Sequence, residues 1–434
     1  MKVFVKAITI PRSKKSSLLS NIKEHCLAAC SENEIPLRFI VTKSDEQFFH
    51  CEVDLLETDT PDYFEDKSIF NFKPRPFEDQ SQFNAVLVTP TGIAAELGGH
   101  AGDSNALARF MGSACDTLIT HPNVVNASDI NEMPENCLYV EGSVISRLLM
   151  GTVALKPTRA NRLLLVMDDH ADSLVKAQVI NAASAARCTL GADVQVVALQ
   201  DKPVLSATVA ESGRAVGDIQ NLVPLLSYLG NYRDEYDAVA LATVVHFPKE
   251  IHEAYLDSAG GLVNPWGGVE AMLTHAVSHY FDIPSAHAPM METRESTAEL
   301  SEVIDPRMAA EELSSAFIHC VLKGLQRAPQ IINDPALLSH PSLISAMNIS
   351  CLVIPDKCVG LPTLAALEQG IPVIAVKENG NLMKNDLSQL NFKKGQLIVV
   401  DNYLEAVGVM QALKSGVSLE SIRRPIGATQ VKIH

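Results

Sequence analysis

Apolar residues along this chain return in two rhythms: short runs rich in Val, Ile and Leu, and longer stretches in which they recur every three or four positions. The first rhythm predicts strands and the second helices. Residues 2–9 read as a strand, 17–29 as a helix, and 37–42 and 48–55 as strands, which makes residues 1–80 a small α+β cap. Residues 60–83 mix Asp, Glu, Pro and Phe without a period and read as a linker. A strand at 85–89, a glycine-rich turn, a helix from about 104, a strand at 117–120 and a helix at 140–150 make residues 84–155 a first Rossmann-like unit. The basic, Pro-containing stretch 156–162 is the boundary.

Beyond it the alternation resumes, with a strand at 163–167, a helix at 173–189 and a strand at 194–199, the spacing of a right-handed βαβ unit. Residues 200–235 read as irregular with a helix at 219–229, ahead of a buried strand at 238–244. Long helices are expected near 267–280 and 306–326, and the last hundred residues alternate again through 351–354, 363–369, 373–376, 397–400 and 403–414. Residues 160–434 therefore read as a second Rossmann-like domain with a largely helical insertion at about 245–345. The fold class expected is α/β, with two Rossmann-like domains of mostly parallel sheets plus the N-terminal cap.

Composition narrows the function. The chain has 434 residues, 47% hydrophobic and 20% charged, which is globular, and its net charge of −16 with a single Trp argues against a nucleic-acid partner. Nine cysteines without a CxxC pair read as reduced thiols and a cytoplasmic location. The N-terminus does not read as a signal peptide, and no run approaches the ~18 apolar residues of a membrane span. The partner expected is a small-molecule substrate, with homo-oligomerisation left open.

Candidate chemistry clusters after predicted strands, where α/β sheets place ligands. In residues 96–110, Gly98, Gly99 and Gly102 allow close backbone approach, Asp103 or Ser104 can cap the next helix, and His100 stands where it could act on a bound group. The alternative is a tight turn with Asp103 as a plain cap. Residues 120–136 carry His121, Asn123, Asn126, Asp129, Asn131 and Glu132, enough short polar groups for a hydroxylated or carboxylated substrate, or for an ordinary turn-rich loop. Asp168, Asp169 and His170 could hold a divalent metal ion or orient a proton-transfer histidine, or else Asp172 or Ser173 simply caps the following helix. His275 and His279 are four apart on one helical face behind Glu270, but without an HExxH pattern packed or solvated histidines outweigh zinc. His287, Glu292 and Arg294 form a polar loop in which Arg294 could clamp a carboxylate or phosphate, or join a surface salt bridge. In 351–381, Gly360 opens a helix that bears Glu368, and the loop with Asn379 and Asn381 follows the next strand, a layout able to hold a nucleotide diphosphate and equally that of a plain αβ unit. No cofactor is specified; a divalent metal is the one candidate. No GxGxxG, Walker or GxSxG motif occurs in suitable context.

From about 84 to 381 the chain resembles an uncharacterised family, the domain of unknown function 3326, through PTGIAAELGGHAGD, THPNVVNASDINEMPENCLYVEGS, NPWGGVEAMLTHA, DPRMAAEE, CVLKGLQRAP and CLVIPDKCVGLPTLAALEQGIPVIAV. That resemblance implies no activity. Gly98-Gly99-His100 and GLPTLAALEQGIPVIAV are also similar to motifs of two-Rossmann-domain (GT-B type) glycosyltransferases. This second resemblance implies His100 near the transferred group and Glu368 on a ribose. It departs from that pattern between 200 and 350, which has no counterpart there.

Three readings stand together. One is transferase-like, with His100 as general base or orienter, Asp103 and the 121–132 loop on the acceptor, and Glu368 with the 378–381 loop on a nucleotide-linked donor. Another is a metal-assisted hydrolase, lyase or isomerase of a small carboxylate, with His100, Asp103, His121, Asp168 and His170 around the ion. The third is a non-catalytic metabolite-binding protein.

Overall fold

The computed structural model describes residues 1–13, 17–248, 250–251, 254–255, 262–292, 305–314 and 316–433. Two sheets dominate it. A ten-stranded sheet runs in the order Asp193–Leu199, Arg162–Asp168, Ala238–His246, Val204–Val209, Ala215–Gln220, Lys2–Pro11, Phe48–Glu57, Glu34–Ser44 and Val359–Gly360, with Ser285–Met290 added to Ala238–His246. It forks at Ala238–His246: Ser285–Met290 pairs with residues 239–244, while Val204–Val209 takes over at 245–246. One arm is parallel and the other antiparallel. All of Ala238–His246 except His246 is buried, as a strand covered on both faces must be, and this explains why Thr243 is the one polar residue from Ala238 to Val245.

The second sheet has six strands, all parallel, in the order Leu397–Val400, Val373–Val376, Ile349–Pro355, Asn84–Leu87, Thr117–Thr120 and Cys137–Tyr139. Sheet membership thus pairs distant parts of the chain. The three N-terminal strands lie in one sheet with strands from 162–290, and those of 84–139 share theirs with 349–400. Mostly parallel pairing holds for the six-stranded sheet, whereas the ten-stranded sheet is mixed because two antiparallel hairpins enter it. Leu163, Leu165 and Met167 of one sheet share a continuous core with Leu118, Tyr139 and Val353 of the other, bridged by helices Ser173–Leu190 and Ile318–Gln326.

Three elements differ from expectation, each for a local reason. Residues 204–220 are a β-hairpin, closed by Gly213 at φ +85° whose N–H donates to the Ala210 carbonyl at 2.9 Å. Ser285–Met290, expected as loop within a helical insertion, is a strand; its Ala, Ser and Pro carry little β-propensity, and Pro289 is tolerated because the strand has a single neighbour. The long helix expected at 306–326 reduces to Ile318–Gln326 after a short 3₁₀ turn, Glu311–Leu313. It starts where Phe317 takes a left-handed conformation (φ +51°), and Asp129, far away in sequence, accepts from the His319 N–H at 2.8 Å. No helix among the described residues is long and apolar enough to cross a membrane.

Candidate functional site

A cavity of about 590 Å³ opens between the two sheets. On one side it is lined by residues just past the carboxyl ends of parallel strands: Val88, Pro90 and Thr91 after Asn84–Leu87, His121, Asn123 and Asn126 after Thr117–Thr120, Glu141 and Ser143 after Cys137–Tyr139, and Cys358 and Gly360 after Ile349–Pro355. The ten-stranded sheet contributes Arg38, Val245 and His287, and the turn of its hairpin contributes Arg214. Helix Trp266–Phe281 closes the space, with Glu270, Thr274 and His275 on the lining. Its Asn-Pro-Trp-Gly-Gly start has a packing reason: a Cβ on Gly268 would lie 2.3 Å from the Ala215 carbonyl oxygen, so only glycine lets the helix reach the hairpin.

The centre of the lining is a carboxylate–imidazole pair. Glu141 caps helix Gly142–Leu149, its Oε2 accepting from the Ser143 N–H at 2.9 Å and from the Ser143 hydroxyl. Its Oε1 accepts from the Thr274 hydroxyl at 3.2 Å and lies 2.5 Å from His275 Nδ1, a close contact without aligned hydrogen-bond geometry. Burial opposes ionisation of Glu141, but His275 and the Ser143 bonds win and hold its carboxyl down to about 2. No hydrogen bond from a described residue reaches His275 Nε2. A pair of this kind can hand a proton to or from a bound molecule through Nε2.

His121 is a second imidazole on the cavity wall. Its Nε2 accepts from the Thr89 N–H at 3.1 Å, which leaves the ring proton on Nδ1 when the ring is neutral. Burial pushes its pKa down to about 4, with His275 adding to the effect and Glu141 opposing it. His121 is therefore a neutral imidazole at pH 7, placed on the cavity wall as a donor.

Behind these groups lies a buried charge cluster. Arg214, 1% exposed, contacts Glu52 through Nε at 2.6 Å and Asp54 through Nη2 at 3.4 Å, and Arg38 Nε lies 2.6 Å from the other oxygen of Asp54. Burial opposes ionisation of Asp54, yet Arg38, Arg214 and then His275 hold its carboxyl below the usual range. Three of these residues come from the N-terminal strands, and sequence reasoning missed all four. One signal was there: Glu52 and Asp54 are two apart within the otherwise apolar run Cys51–Leu56 of their strand, so both point to the same buried face.

The candidates read from the sequence divide. His121, Asn123, Asn126, His287 and Gly360 line the cavity. Asn123 also donates to the Gly98 carbonyl at 2.7 Å, and His287 Nε2 is bonded to the Thr243 hydroxyl at 2.8 Å with Nδ1 3.4 Å from Glu270. His100 sits one residue from the lining residue Ala101, its Nδ1 2.6 Å from the Tyr255 hydroxyl, which donates to Glu311 at 3.0 Å. Asp103 accepts from the Gly98 N–H at 2.7 Å, and burial pushes its carboxyl up to about 6. Gly98 is left-handed (φ +86°), and a Cβ on Gly99 would meet the Ala95 carbonyl, so the glycines of this turn have a structural task.

Others are occupied elsewhere. Asp129 caps a helix, Asn131 donates to the Cys320 carbonyl, Asn379 brackets the backbone of Leu97, and Asn381 donates to the Asp356 carbonyl. Glu368 is half-buried on helix Leu361–Gln369 and is not on the cavity wall. Asp168 accepts from the Val244 N–H and meets Lys202, Asp169 meets Lys176, and His170 Nδ1 accepts from the Asp172 N–H. Among the described residues no three His, Cys, Asp or Glu side chains are grouped to hold a metal ion. Of the histidine pair on helix Trp266–Phe281, His279 is a core residue stacked on Phe64, with its pKa pushed down to about 3 by burial. Arg294 lies outside the described residues.

The model of a family described as a protein of unknown function (DUF3326) matches residues 84–423. The chain belongs to that family. The DUF3326 region takes in all six strands of the parallel sheet, Glu141, Arg214 and His275, but not the strands that bring Arg38, Glu52 and Asp54. A relative from Synechococcus sp., named an uncharacterized lipoprotein, is 34% identical over 336 residues, covering 76% of this chain and 91% of its own length. No solved structure matches the chain. The glycosyltransferase resemblance gains no support from these comparisons.

Proposed function

We propose that this protein is an enzyme performing acid–base chemistry on a small molecule in the cavity, with His275 as the proton-transfer group, Glu141 as its orienting carboxylate and His121 as a neutral hydrogen-bond donor to the substrate. One observation carries the reading: a buried carboxylate stands 2.5 Å from an imidazole whose second nitrogen is left for a ligand on the cavity wall. Glu141 fixes the ring and stabilises the imidazolium formed when Nε2 takes a proton. His121 donates from Nδ1 to an oxygen on which charge develops, in a site where partial burial strengthens the bond.

The position of the cavity supports this. Numbered by chain order, the six parallel strands run 6-5-4-1-2-3, the order of a doubly wound Rossmann fold. Asn84–Leu87 and Ile349–Pro355 lie side by side at its centre, and the chain leaves them toward opposite edges. In such sheets ligands occupy the crevice at this reversal, and Val88 and Ile354 line the cavity there. No nucleotide donor or metal ion is needed for the chemistry proposed. The nine free cysteines agree with a reducing, cytoplasmic setting, and the lipoprotein name belongs to the Synechococcus relative.

The reading is tested by incubating wild-type protein and His275→Gln with a panel of small phosphorylated and carboxylated metabolites and following each by mass spectrometry. Consumption by the wild type that the variant loses by a factor of about a hundred or more supports it. A substrate turned over equally by both proteins refutes the role of His275, and conversion of no panel member counts against the enzyme reading.

A further inference from the structure

We propose that Arg38, Arg214 and the start of helix Leu361–Gln369 form an oxyanion subsite that holds a carboxylate or phosphate group of the substrate. The inference rests on the proposed function only in taking the cavity as the substrate site. Its support is independent of His275.

The donors come first. Arg38 meets Asp54 through Nε at 2.6 Å, its buried Nη2 has no hydrogen-bond partner, and its side chain is 17% exposed, on the cavity wall. Arg214 commits Nε to Glu52 and Nη2 to Asp54, while its Nη1 has no partner although the side chain is almost wholly buried. Unsatisfied buried guanidinium nitrogens are costly, and a bound anion is one partner that would complete them. Guanidinium groups suit a carboxylate or phosphate because their planar N–H groups match its oxygens in pairs.

The helix start supplies the second donor set. Gly360 pairs with Ile40 across the sheet, and Ile40 lies two residues along the strand from Arg38, on the same face. Helix Leu361–Gln369 therefore begins beside Arg38. No side chain caps it, and Gly360, Leu361 and Thr363 lie on the cavity. Pro362 has no N–H, so the Leu361 and Thr363 amides and the helix dipole favour negative charge at that spot. Glu52 and Asp54 balance the charge of the two arginines from behind, so what the pair offers an anion is its unfilled hydrogen-bonding capacity rather than a net field.

The test is calorimetric titration of the full chain with inorganic phosphate and, separately, with succinate, for the wild type, Arg38→Lys, Arg38→Met and His275→Gln. Arg38→Lys keeps a charge beside Asp54 but loses the planar fork, so it guards against mere unfolding of the Met variant. Binding of at least one probe by the wild type, weakened about tenfold or more in both Arg38 variants and changed less than about threefold in His275→Gln, is the result expected. Which probe binds distinguishes a phosphate from a carboxylate site. Failure of both probes to bind the wild type, or binding indifferent to Arg38→Lys, overturns the subsite. Loss of binding in His275→Gln equal to that in the Arg38 variants overturns it too, and leaves the acid–base reading untouched.

Discussion

Replacing Glu141 by Gln removes the charge opposite His275 while keeping an oxygen to accept from the Ser143 N–H. The magnitude follows from the carboxyl's displacement from 4.5 to about 2 on folding. At 1.36 kcal/mol per pKa unit, the ionised form contributes about 3 kcal/mol at pH 7. The folded pKa is the lower one, so the contribution is complete above pH 4.5 and is lost as pH falls through 2, with about 2 kcal/mol left at pH 3.5. Urea unfolding of wild type and Glu141→Gln at pH 7 and pH 3.5 measures both values. Repeating it in a His275→Gln background separates the pair from the rest of the site, and the cost of Glu141→Gln there should fall to less than half. A variant as stable as wild type at pH 7, or a cost unchanged by the loss of His275, would refute the idea that these two side chains act as a unit.

Further expectations concern the frame of the site. Asp103 has the opposite sign: with its carboxyl lifted from 3.8 to about 6, wild type should lose stability as pH rises from about 4 to 6, by up to ~3 kcal/mol, and Asp103→Asn should lack that slope in urea titrations across this range. Arg214→Met strands Glu52 and Asp54 with one guanidinium between them and should cost about 3–5 kcal/mol, with part recovered by adding Glu52→Gln; equal stability of single variant and wild type would show the cluster to be inert. Gly268→Ala forces the helix start off Ala215 and should cost about 1–3 kcal/mol in thermal or urea unfolding. The same change at Gly191, where a Cβ meets no neighbour and only φ +64° resists, should cost less.

Most strands and helices were legible because their periods are clean. Ala238–His246 and Ser173–Leu190 announce themselves by a long, mainly apolar run and by a cap at Asp172. Ser285–Met290 was hidden because an edge strand tolerates Pro and small residues, and the hairpin at 204–220 because its turn has no Asn-Gly or Asp-Gly signature. The loops after strands lead to the cavity, which His121, Asn123 and Gly360 line. Pairing across the chain was not legible. Nothing local in Arg38 or Glu141 says that residues so far apart in sequence share one pocket with His275, since sheet order is fixed by long-range packing. Conversely, Asn379 and Glu368 carry suggestive chemistry at suggestive positions, yet one brackets the Leu97 backbone and the other is off the cavity wall.

The middle strand of the parallel sheet, Asn84–Leu87, leans on Ile349–Pro355, made about 260 residues later. At a ribosomal pace of 5–20 residues per second that neighbour emerges roughly 15–50 s after the strand itself. Until then one flank of Asn84–Leu87 has nothing to bond to, and the crevice above it has no far wall. The nascent chain is thus expected to fold late and to lean on chaperones while it waits, and any stall in translation beyond the first third would leave an open, adhesive β-edge.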